Sequence, residues 1–372
     1  MTAPTEAAQE PMRVLFVTRK WPPAVGGMET YSVELANELR DLVDLELQTL
    51  AGRADGRPPA APALAWFLFT SAVTLVRRRR DFDLVHFGDF VLFPLAWLHA
   101  LVAPGSARAV TVHGLDLIYG NRPGLAARVY RVFMGFARQR IGSIDLVLAN
   151  SRNTADIARR QGLGDAVVVP LGVRLEQATP VTRSAEQPAE TFILFVGRLV
   201  PRKGAAWFAE QVLPRLGADL RLKVVGKVWD AEEGRRLAAQ PGVELVGYVS
   251  DEELAELRRR ALAVVMPNIP SPGETDVEGF GITALEAAAS GAPLIAARIE
   301  GITDAVIDGE TGFLEPALDV DRWVARISDL RTWTPEQRAA FTARARDAIG
   351  EHYAWSRVAR DTVAAYRKVL RR

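Results

Sequence analysis

The sequence predicts an α/β protein with two doubly wound, parallel-sheet domains that face each other across a cleft. Short apolar stretches alternate with helical stretches through the first half, beginning with RVLFVTR at residues 13–19. Residues 176–190 are polar, with Val181 as their one large apolar residue, and the alternation restarts with FILFV at 192–196. Chains of this kind typically build parallel sheets covered on both faces, which bind ligands at the carboxyl ends of the strands.

Each predicted strand is a short apolar or β-branched run, and the predicted helices have apolar residues at helical spacing. In the first half we predict strands at 13–19, 45–49, 83–87, 109–113, 145–149 and 167–169, and helices at 28–39 and 125–141. In the second half we predict strands at 192–196, 220–225, 243–246, 263–266 and 293–296, and helices at 206–215, 232–239, 252–261 and 283–290.

The polar segment sets the domain boundaries that we expect. Residues 1–12 are small and polar and are interpreted as a disordered lead-in rather than a signal peptide. The first domain is predicted at 13–175, the linker at 176–190 and the second domain at 191–352.

Composition excludes several classes of protein. The 372 residues include 46 Lys+Arg and 45 Asp+Glu, so the net charge of +1 gives no basic field for nucleic acid. The absence of Cys excludes disulfides, thiolate metal sites and Cys nucleophiles, and four His leave little material for a His-rich metal site.

Two apolar stretches, at 63–76 and 90–103, raise the question of membrane contact. Each has 14 residues, fewer than the roughly 20 that a spanning helix needs. Helices packed on a sheet are the favoured interpretation, and peripheral membrane contact beside Arg77–Arg80 is the alternative. The same pair of interpretations applies to 122–144, which contains five Arg and no acidic residue.

The segment PGETDVEGFGITALEAAASG at residues 272–291 is the most informative in the chain. Gly279 and Gly281 allow a ligand to approach the backbone closely, and a helix that starts near Ile282 offers unpaired N–H groups to a phosphate. Glu278 precedes this point and Glu286 follows it, so their carboxylates could bind hydroxyl groups on either side of a diphosphate. The alternative is ordinary acidity at a helix start.

Glu278 and Glu286 form an E-x7-E motif that resembles the signature of retaining GT-B glycosyltransferases of family 4. The resemblance extends over roughly residues 13–370. It implies the GT-B fold, a nucleotide-diphosphate sugar as donor and retention of the anomeric configuration. It also implies that the donor contacts the stretch between the two glutamates, at Gly279, Phe280, Gly281, Ile282 and Thr283.

Two further segments match the family's donor site. Within FILFVGRLVPRKG, Arg198 and Lys203 resemble the Arg and Lys that bind the donor diphosphate, with Arg202 as a less favoured substitute. Two cations at the end of a strand can neutralise a leaving diphosphate. Gly26 and Gly27, in a loop that leads into a helix, resemble the family's glycine loop near the donor phosphate.

Other segments match the family less directly. In TVHGLD, His113 resembles the histidine beside the transferred sugar, while a capping or core role is the alternative. Tyr248 and Val249 lie in a stretch that resembles the loop beside the nucleobase. PLGVR departs from the usual P-N-G-V-D, with Leu171 and Arg174 at the changed positions. The resemblance also implies that a closing helix, within 353–372, crosses back to the first domain.

The pair Asp81 and Asp83 forms a D-x-D pattern, which holds a metal ion in another glycosyltransferase fold. Here the pair precedes the strand-like LVHF, so we interpret it as structural. The family resemblance implies an enzyme without a metal ion or other cofactor.

Together these features predict a retaining hexosyltransferase that uses a nucleotide-diphosphate sugar. A glycan, a lipid-linked glycan or a small molecule would supply the acceptor hydroxyl. We expect the enzyme in the cytoplasm, with the cytoplasmic face of the inner membrane as a further place of action. A nucleotide-sugar 2-epimerase of the same fold and a non-catalytic sugar-nucleotide-binding protein remain alternatives. A dinucleotide dehydrogenase is excluded, because no G-x-G-x-x-G follows the first strand.

Overall fold

The structure, a computed structural model, describes residues 11–24, 26–53, 59–175 and 191–371. These residues form two six-stranded parallel sheets flanked by helices, which confirms the predicted fold class. The predicted linker 176–190 and most of the lead-in lie outside the described residues. The domain boundaries therefore stay predictions. We call residues 13–175 the first lobe and residues 191–353 the second lobe.

The two sheets have related topologies. The first has the strand order β2-β1-β3-β4-β5-β6 and the second β12-β11-β10-β7-β8-β9. The strands of the first sheet are β1 (Arg13–Trp21), β2 (Asp44–Ala51), β3 (Leu84–Phe87), β4 (Ala107–Val112), β5 (Leu146–Ala149) and β6 (Val167–Val168). Those of the second are β7 (Phe192–Val196), β8 (Arg221–Val225), β9 (Val243–Gly247), β10 (Ala263–Met266), β11 (Leu294–Ala297) and β12 (Phe313–Glu315).

Helices connect successive strands and cover both sheets. In the first lobe they are α1 (Gly27–Leu39), α2 (Ala61–Arg77), α3 (Phe93–Val102), α4 (Leu115–Ile118), α5 (Leu125–Gln139) and α6 (Arg152–Arg160). The second lobe has α7 (Ala205–Trp207), α8 (Ala231–Ala238), α9 (Asp251–Arg260), α10 (Ile282–Ala289), α11 (Ile302–Ala305), α12 (Val320–Thr332) and α13 (Pro335–Tyr353), and α14 (Trp355–Leu370) follows.

The strand order changes direction once in each sheet, and these switch points position the cleft. In the first sheet the chain reverses between β1 and β3, and in the second between β7 and β10. The connections that leave two adjacent strands there run to opposite sides, which opens a crevice at the carboxyl ends. The glycine loop follows β1, and the turn Pro201–Lys203 follows β7.

The second lobe differs from the sequence prediction in one predicted helix and in several elements that the prediction lacks. The helix predicted at 206–215 is α7 followed by a π-helical stretch (Phe208–Val212) and a 3₁₀ turn (Leu213–Arg215). Pro214 explains this, because its ring has no N–H and displaces the carbonyl four residues earlier. The sequence analysis also missed β12, α12 and α13.

α14 packs against α1, β4 and β5 of the first lobe. Its fully buried Tyr366 shares a 2.7 Å hydrogen bond with Nδ1 of His86 in β3. On the other side of the ring, Nε2 of His86 lies 2.7 Å from the Thr111 hydroxyl. The last helix is therefore fixed to the centre of the first sheet by a buried polar contact.

The apolar stretch 63–76 lies within α2, and 90–103 forms a 3₁₀ turn followed by α3. α2 buries Phe67 and Leu75 against the sheet but leaves Trp66 and Phe69 exposed, so it is only half covered. In the described part of the chain, no helix is both long enough and apolar enough to cross a bilayer.

The burial of His86 predicts a loss of stability in mild acid. Burial, helped by the charge of His113, lowers the pKa of His86 from 6.5 to about 3. The unfolded chain takes up a proton near pH 6.5 and the folded chain does not, so stability falls as the pH drops from 6.5 towards 3. We expect a smaller fall in the thermal midpoint between about pH 7 and pH 5 in His86→Gln than in the wild type.

His99 gives a matched comparison for this test. Burial, and to a lesser degree the charge of Arg108, lowers the pKa of His99 to about 4. His99→Gln should therefore also reduce the fall in the thermal midpoint between about pH 7 and pH 5. The variant with both changes should show the smallest fall in the thermal midpoint over this pH range. If the thermal midpoint falls with pH equally in the wild type and in His86→Gln, His86 is protonated to the same extent in the folded and the unfolded chain.

Candidate active site

The two lobes touch where the segments after β4 and β10 meet. A Cβ atom at Gly279 would lie 2.2 Å from the carbonyl oxygen of His113, so only glycine fits this position. The Thr154 hydroxyl donates a 3.4 Å hydrogen bond to the Gly279 carbonyl from the first lobe. The predicted residues His113 and Glu278 therefore lie at one junction, on opposite lobes.

The Glu278 carboxylate is the centre of a buried polar cluster. Its Oε2 accepts hydrogen bonds from Nζ of Lys203 at 2.5 Å, from Nη1 of Arg202 at 2.9 Å and from Nδ2 of Asn268 at 3.1 Å. Burial alone would raise the pKa of Glu278, but the charges of Lys203 and Arg202 hold it well below its usual range. The carboxylate is thus ionised and fixed in orientation. The hydrogen bonds found among the described residues all use Oε2, which leaves Oε1 to face a ligand.

The backbone around Glu278 is also fixed. Its N–H donates a 2.5 Å hydrogen bond to Oε2 of Glu300, and its carbonyl accepts one from the N–H of Gly301 at 3.1 Å. Burial raises the pKa of Glu300, although this hydrogen bond opposes the shift. The segment before α10 is therefore held through both the N–H and the carbonyl of Glu278.

The sequence analysis paired Lys203 with Arg198 and gave Arg202 a minor place. In the structure Arg202 is only 7% exposed and contacts Glu278 beside Lys203. Arg198 is exposed, and its guanidinium carbon lies 5.6 Å from the ring centroid of Trp229. The binding of a diphosphate by Arg198 and Lys203 stays a prediction, and Arg202 joins them as a nearby cation that orients Glu278.

The start of α10 has the geometry expected of an anion site. Gly281 precedes Ile282 with φ 99° and ψ 59°, a left-handed conformation that favours glycine, and no side chain caps the helix. Across the cleft, a Cβ atom at Gly27 would lie 3.5 Å from Cδ1 of Ile282. The glycine loop, which includes Gly26 at the start of α1, is therefore next to the side chain of the first residue of α10. The first N–H groups of that helix, including that of Thr283, have no partner within it.

Phe280, predicted among the donor contacts, has a different side-chain role. The ring is buried in the core and lies 6.1 Å from the ring of Tyr353. A donor at this position would meet the Phe280 backbone rather than its ring.

Glu286 lies one turn into α10 and is partly exposed. Its carboxylate forms an ion pair with Arg258 of α9, a partner that the sequence analysis missed. Tyr248 is 87% exposed at the end of β9, and Val249 packs partly against the core. Arg258 is the one buried residue of α9, and it is charged, so apolar spacing along the helix gave no sign of its burial.

The His113 side chain is held in one orientation. Nε2 donates a 2.9 Å hydrogen bond to the Gly88 carbonyl, and the backbone N–H donates one of 2.9 Å to Asp116. Because a carbonyl only accepts, Nε2 carries a proton and Nδ1 is the atom left for a ligand. Burial raises the pKa of Asp116.

A buried chain of hydrogen bonds leads from α14 to Tyr31, whose ring contacts His113. Beyond His86, the Thr111 hydroxyl lies 2.7 Å from the Tyr31 hydroxyl, and the Tyr31 ring meets the His113 ring edge-on at 5.0 Å. These residues lie on β3, β4, α1 and α14, so sequence spacing could not bring them together. Together they form a buried wall of the first lobe, and the His113 ring packs against the Tyr31 side of it.

The D-x-D pattern has the structural role that its position suggests. Asp81 pairs with Arg78 at 2.8 Å, and Asp83 pairs with Arg13 at 3.1 Å. Across the described ranges, no group of three or more His, Asp or Glu residues is arranged to hold a metal ion.

A cavity of about 510 Å³ between the lobes has Arg122, Arg202 and Thr275 in its lining, and polar contacts join the lobes. Nε of Arg122 donates a 2.9 Å hydrogen bond to the Thr275 carbonyl, and Arg152 pairs with Asp304 at 2.5 Å. The sequence analysis missed these contacts, because each joins residues about 150 positions apart.

Two models of known protein families match the chain. A family model described as Glycosyltransferase Family 4 matches residues 25–177, and one described as Glycosyl transferases group 1 matches residues 190–332. The chain belongs to glycosyltransferase family 4. It is therefore a glycosyltransferase, and the two matches fall on the two lobes that form the cleft.

Individual relatives resemble this glycosyltransferase over nearly its whole length. A GDP-mannose-dependent alpha-(1-6)-phosphatidylinositol monomannoside mannosyltransferase of Mycolicibacterium smegmatis is 28% identical, covering 92% of this chain and 95% of its own. A D-inositol 3-phosphate glycosyltransferase of Streptomyces bingchenggensis is also 28% identical, covering 93% and 85%. The Anabaena protein HepE, solved with UDP and glucose, has a TM-score of 0.69 at 17% identity, covering 95% and 98%. This structural likeness confirms the GT-B fold.

The contact between Gly279 and His113 predicts a strong effect of Gly279→Ala. The added methyl group would clash with the His113 carbonyl and force the lobes apart while each sheet stays folded. We expect turnover to fall by at least about 100-fold, because a displacement of about 1 Å can cost that much. Turnover and the radius of gyration by small-angle X-ray scattering measure the effect.

Gly135→Ala in α5 is the matched control, because a Cβ atom there meets no neighbour within 4 Å. Its turnover and radius of gyration should equal those of the wild type. Wild-type turnover in Gly279→Ala would mean that the lobes need not approach this closely for the reaction.

Proposed function

We propose that this glycosyltransferase moves a hexose-type sugar from a nucleotide-diphosphate sugar to an acceptor hydroxyl, with retention of the anomeric configuration. The second lobe binds the donor at the start of α10, and the acceptor approaches from the first lobe. Family membership supports the transfer of a sugar. The acceptor is the hydroxyl of a glycan, a lipid-linked glycan or a small molecule, and the reaction takes place in the cytoplasm.

The observation that carries the proposal is the position of Lys203 and Glu278 next to the uncapped start of α10. When the bond between the anomeric carbon and the diphosphate breaks, its electron pair stays on the diphosphate oxygen. The positive end of the helix, Lys203 and Arg198 can stabilise this charge as it develops. Because the N–H groups and the ion pair are already in place, little reorganisation is needed during the reaction.

The acceptor hydroxyl then attacks the anomeric carbon on the face that the diphosphate leaves. Its proton passes to an oxygen of the departing diphosphate, so that the charge is balanced and retention follows. Glu278 orients the transferred sugar through Oε1 rather than acting as a covalent nucleophile. His113 can accept a sugar hydroxyl at Nδ1, and contact between the lobes excludes water from the reacting carbon.

In this proposal the protein's own cations replace the charge of a divalent ion, and no other cofactor takes part. Lys203 begins in an ion pair with Glu278, which prevents an unpaired charge in the cleft before the donor binds. Donor binding then gives Lys203 a second anionic partner.

Removal of either cation should slow the reaction strongly. We expect Arg198→Ala and Lys203→Ala each to lower kcat by about 100- to 1,000-fold, the usual effect of losing one group that stabilises developing charge. Release of nucleoside diphosphate from UDP-, GDP-, ADP- and TDP-sugars, measured with EDTA present, gives both the donor and the rate.

Arg235→Ala, which removes an exposed Arg of α8, is the control and should leave kcat unchanged. Near-wild-type turnover in both cation variants would contradict the donor site. A strict requirement for Mg²⁺ or Mn²⁺ in the wild type would contradict the part of the proposal that excludes a metal ion.

Glu286 should act on nucleotide affinity, because we propose that its carboxylate accepts hydrogen bonds from the ribose hydroxyls. We expect Glu286→Ala to weaken the binding of the free nucleoside diphosphate by about 10-fold or more, as for a lost hydrogen bond to a charged group. Calorimetry measures the affinity.

Glu286→Gln controls for the ion pair with Arg258, because its amide oxygen can still accept from that residue. This variant should bind the nucleotide more tightly than Glu286→Ala does. Thermal midpoints verify that both variants are folded. Unchanged affinity in folded Glu286→Ala would exclude the ribose role.

A further inference from the structure

The outer side of three helices in the first lobe exposes large apolar side chains. In α2, Trp66 is 66% exposed and Phe69 59%, and their rings lie 5.7 Å apart. In α5 the exposed residues Leu125, Val129 and Val132 recur at helical spacing and form one stripe. Leu101 adds an exposed side chain on α3. A water-facing helix normally places polar residues at such positions.

These side chains belong to one continuous layer. α2, α3 and α5 pack their buried sides on the same face of the first sheet, through a shared core that includes Phe67, Phe93 and Met134. α2 lies beside α3, and Trp97 of α3 contacts Phe136 of α5 edge-on at 5.2 Å. The exposed apolar residues therefore share the solvent side of a single helical layer, which we call the docking face.

The charge of this layer has one sign. Residues 59–80, 93–103 and 122–144 together contain nine Arg and no acidic residue, although the whole chain is nearly neutral. Within the described ranges, no carboxylate forms a salt bridge with Arg77, Arg80 or Arg128. Arg78 is paired with Glu46 and Asp81, and Arg122 with Asp276. The exposed aromatic and aliphatic side chains therefore share their helical layer with at least three Arg whose charge no described carboxylate neutralises.

We propose that the docking face binds a bilayer containing anionic phospholipids, as a peripheral contact. The apolar side chains enter the boundary between headgroups and acyl chains, and the Arg residues pair with lipid phosphates. Neither feature alone indicates a membrane, since Arg clusters also bind other anions and apolar patches also bind proteins. Their combination on one face matches the two components of an anionic lipid surface.

A second copy of this chain fits the face less well. A symmetric dimer through the docking face would bring two acid-free, Arg-rich surfaces together, and like charges would oppose it. An anionic lipid surface instead complements the charge and accepts the apolar side chains.

The docking face reaches the rim of the cleft. Leu125 begins α5 three residues after Arg122, which binds the Thr275 carbonyl of the second lobe. A docked enzyme would therefore hold its cleft close to the membrane, where a membrane-borne acceptor is concentrated. This last consequence rests on the proposed function, whereas lipid binding itself does not.

Flotation of the purified full-length chain with lipid vesicles tests the proposal without any substrate. We expect the chain to float with phosphatidylcholine–phosphatidylglycerol vesicles at low salt, and much less with phosphatidylcholine alone or at high salt. Each Arg removed in Arg77→Ala, Arg80→Ala and Arg128→Ala should weaken partition by about fivefold. Trp66→Ala combined with Phe69→Ala should weaken it by about tenfold or more.

Leu245→Ser, an exposed apolar residue of β9 on the other lobe, is the matched control and should float like the wild type. Thermal midpoints establish that the variants are folded. The proposal is overturned if the wild type stays unbound with anionic vesicles at low salt, or if the paired aromatic variant floats undiminished. It is also overturned if light scattering shows a dimer that this variant dissolves. None of these outcomes depends on sugar transfer, so the proposed function is judged separately.

Discussion

Two cations on the turn after β7 hold one carboxylate on the segment after β10. The strands β7 and β10 are neighbours in the second sheet, and the strand order reverses between them. Lys203 and Arg202 are the cations, and Glu278 is the carboxylate. A buried carboxylate without partners would be strongly destabilising, so the three side chains stay together. Their position fixes the path of the chain through Gly281 and hence the point at which α10 begins.

The first lobe completes the site through backbone contact. The Gly279 backbone meets the His113 carbonyl, while the His113 ring is held by Gly88 and by the wall that contains Tyr31. That wall is connected through Thr111 and His86 to α14, so the last helix supports the first-lobe side of the cleft. Both sides of the cleft are thus held by buried polar networks, one around His86 and one around Glu278.

The sequence predicts the fold because parallel strands covered on both faces appear as separate apolar runs, as at residues 192–196. It places Lys203 and Glu278 at the same edge of the second sheet, because they lie in the segments that leave the carboxyl ends of β7 and β10. It misses contacts that depend on how the lobes meet, such as Arg122 with Thr275. It also misses α12, although the buried Trp323 and Ile327 recur there at helical spacing. Arg202, and not Arg198, lies beside Glu278 because of the conformation of the turn after β7. The positions of charged residues in the sequence do not determine that conformation.

In the proposed mechanism, the leaving diphosphate meets two kinds of positive charge, side-chain cations and the start of a helix. A crystal structure with a bound nucleotide sugar tests this most directly. We expect the diphosphate oxygens within hydrogen-bonding distance of Lys203 Nζ and of the N–H groups of Ile282 and Thr283, with Arg198 turned from Trp229 towards them. A diphosphate bound away from the start of α10, with neither Lys203 nor Arg198 in contact, would contradict the proposed mechanism.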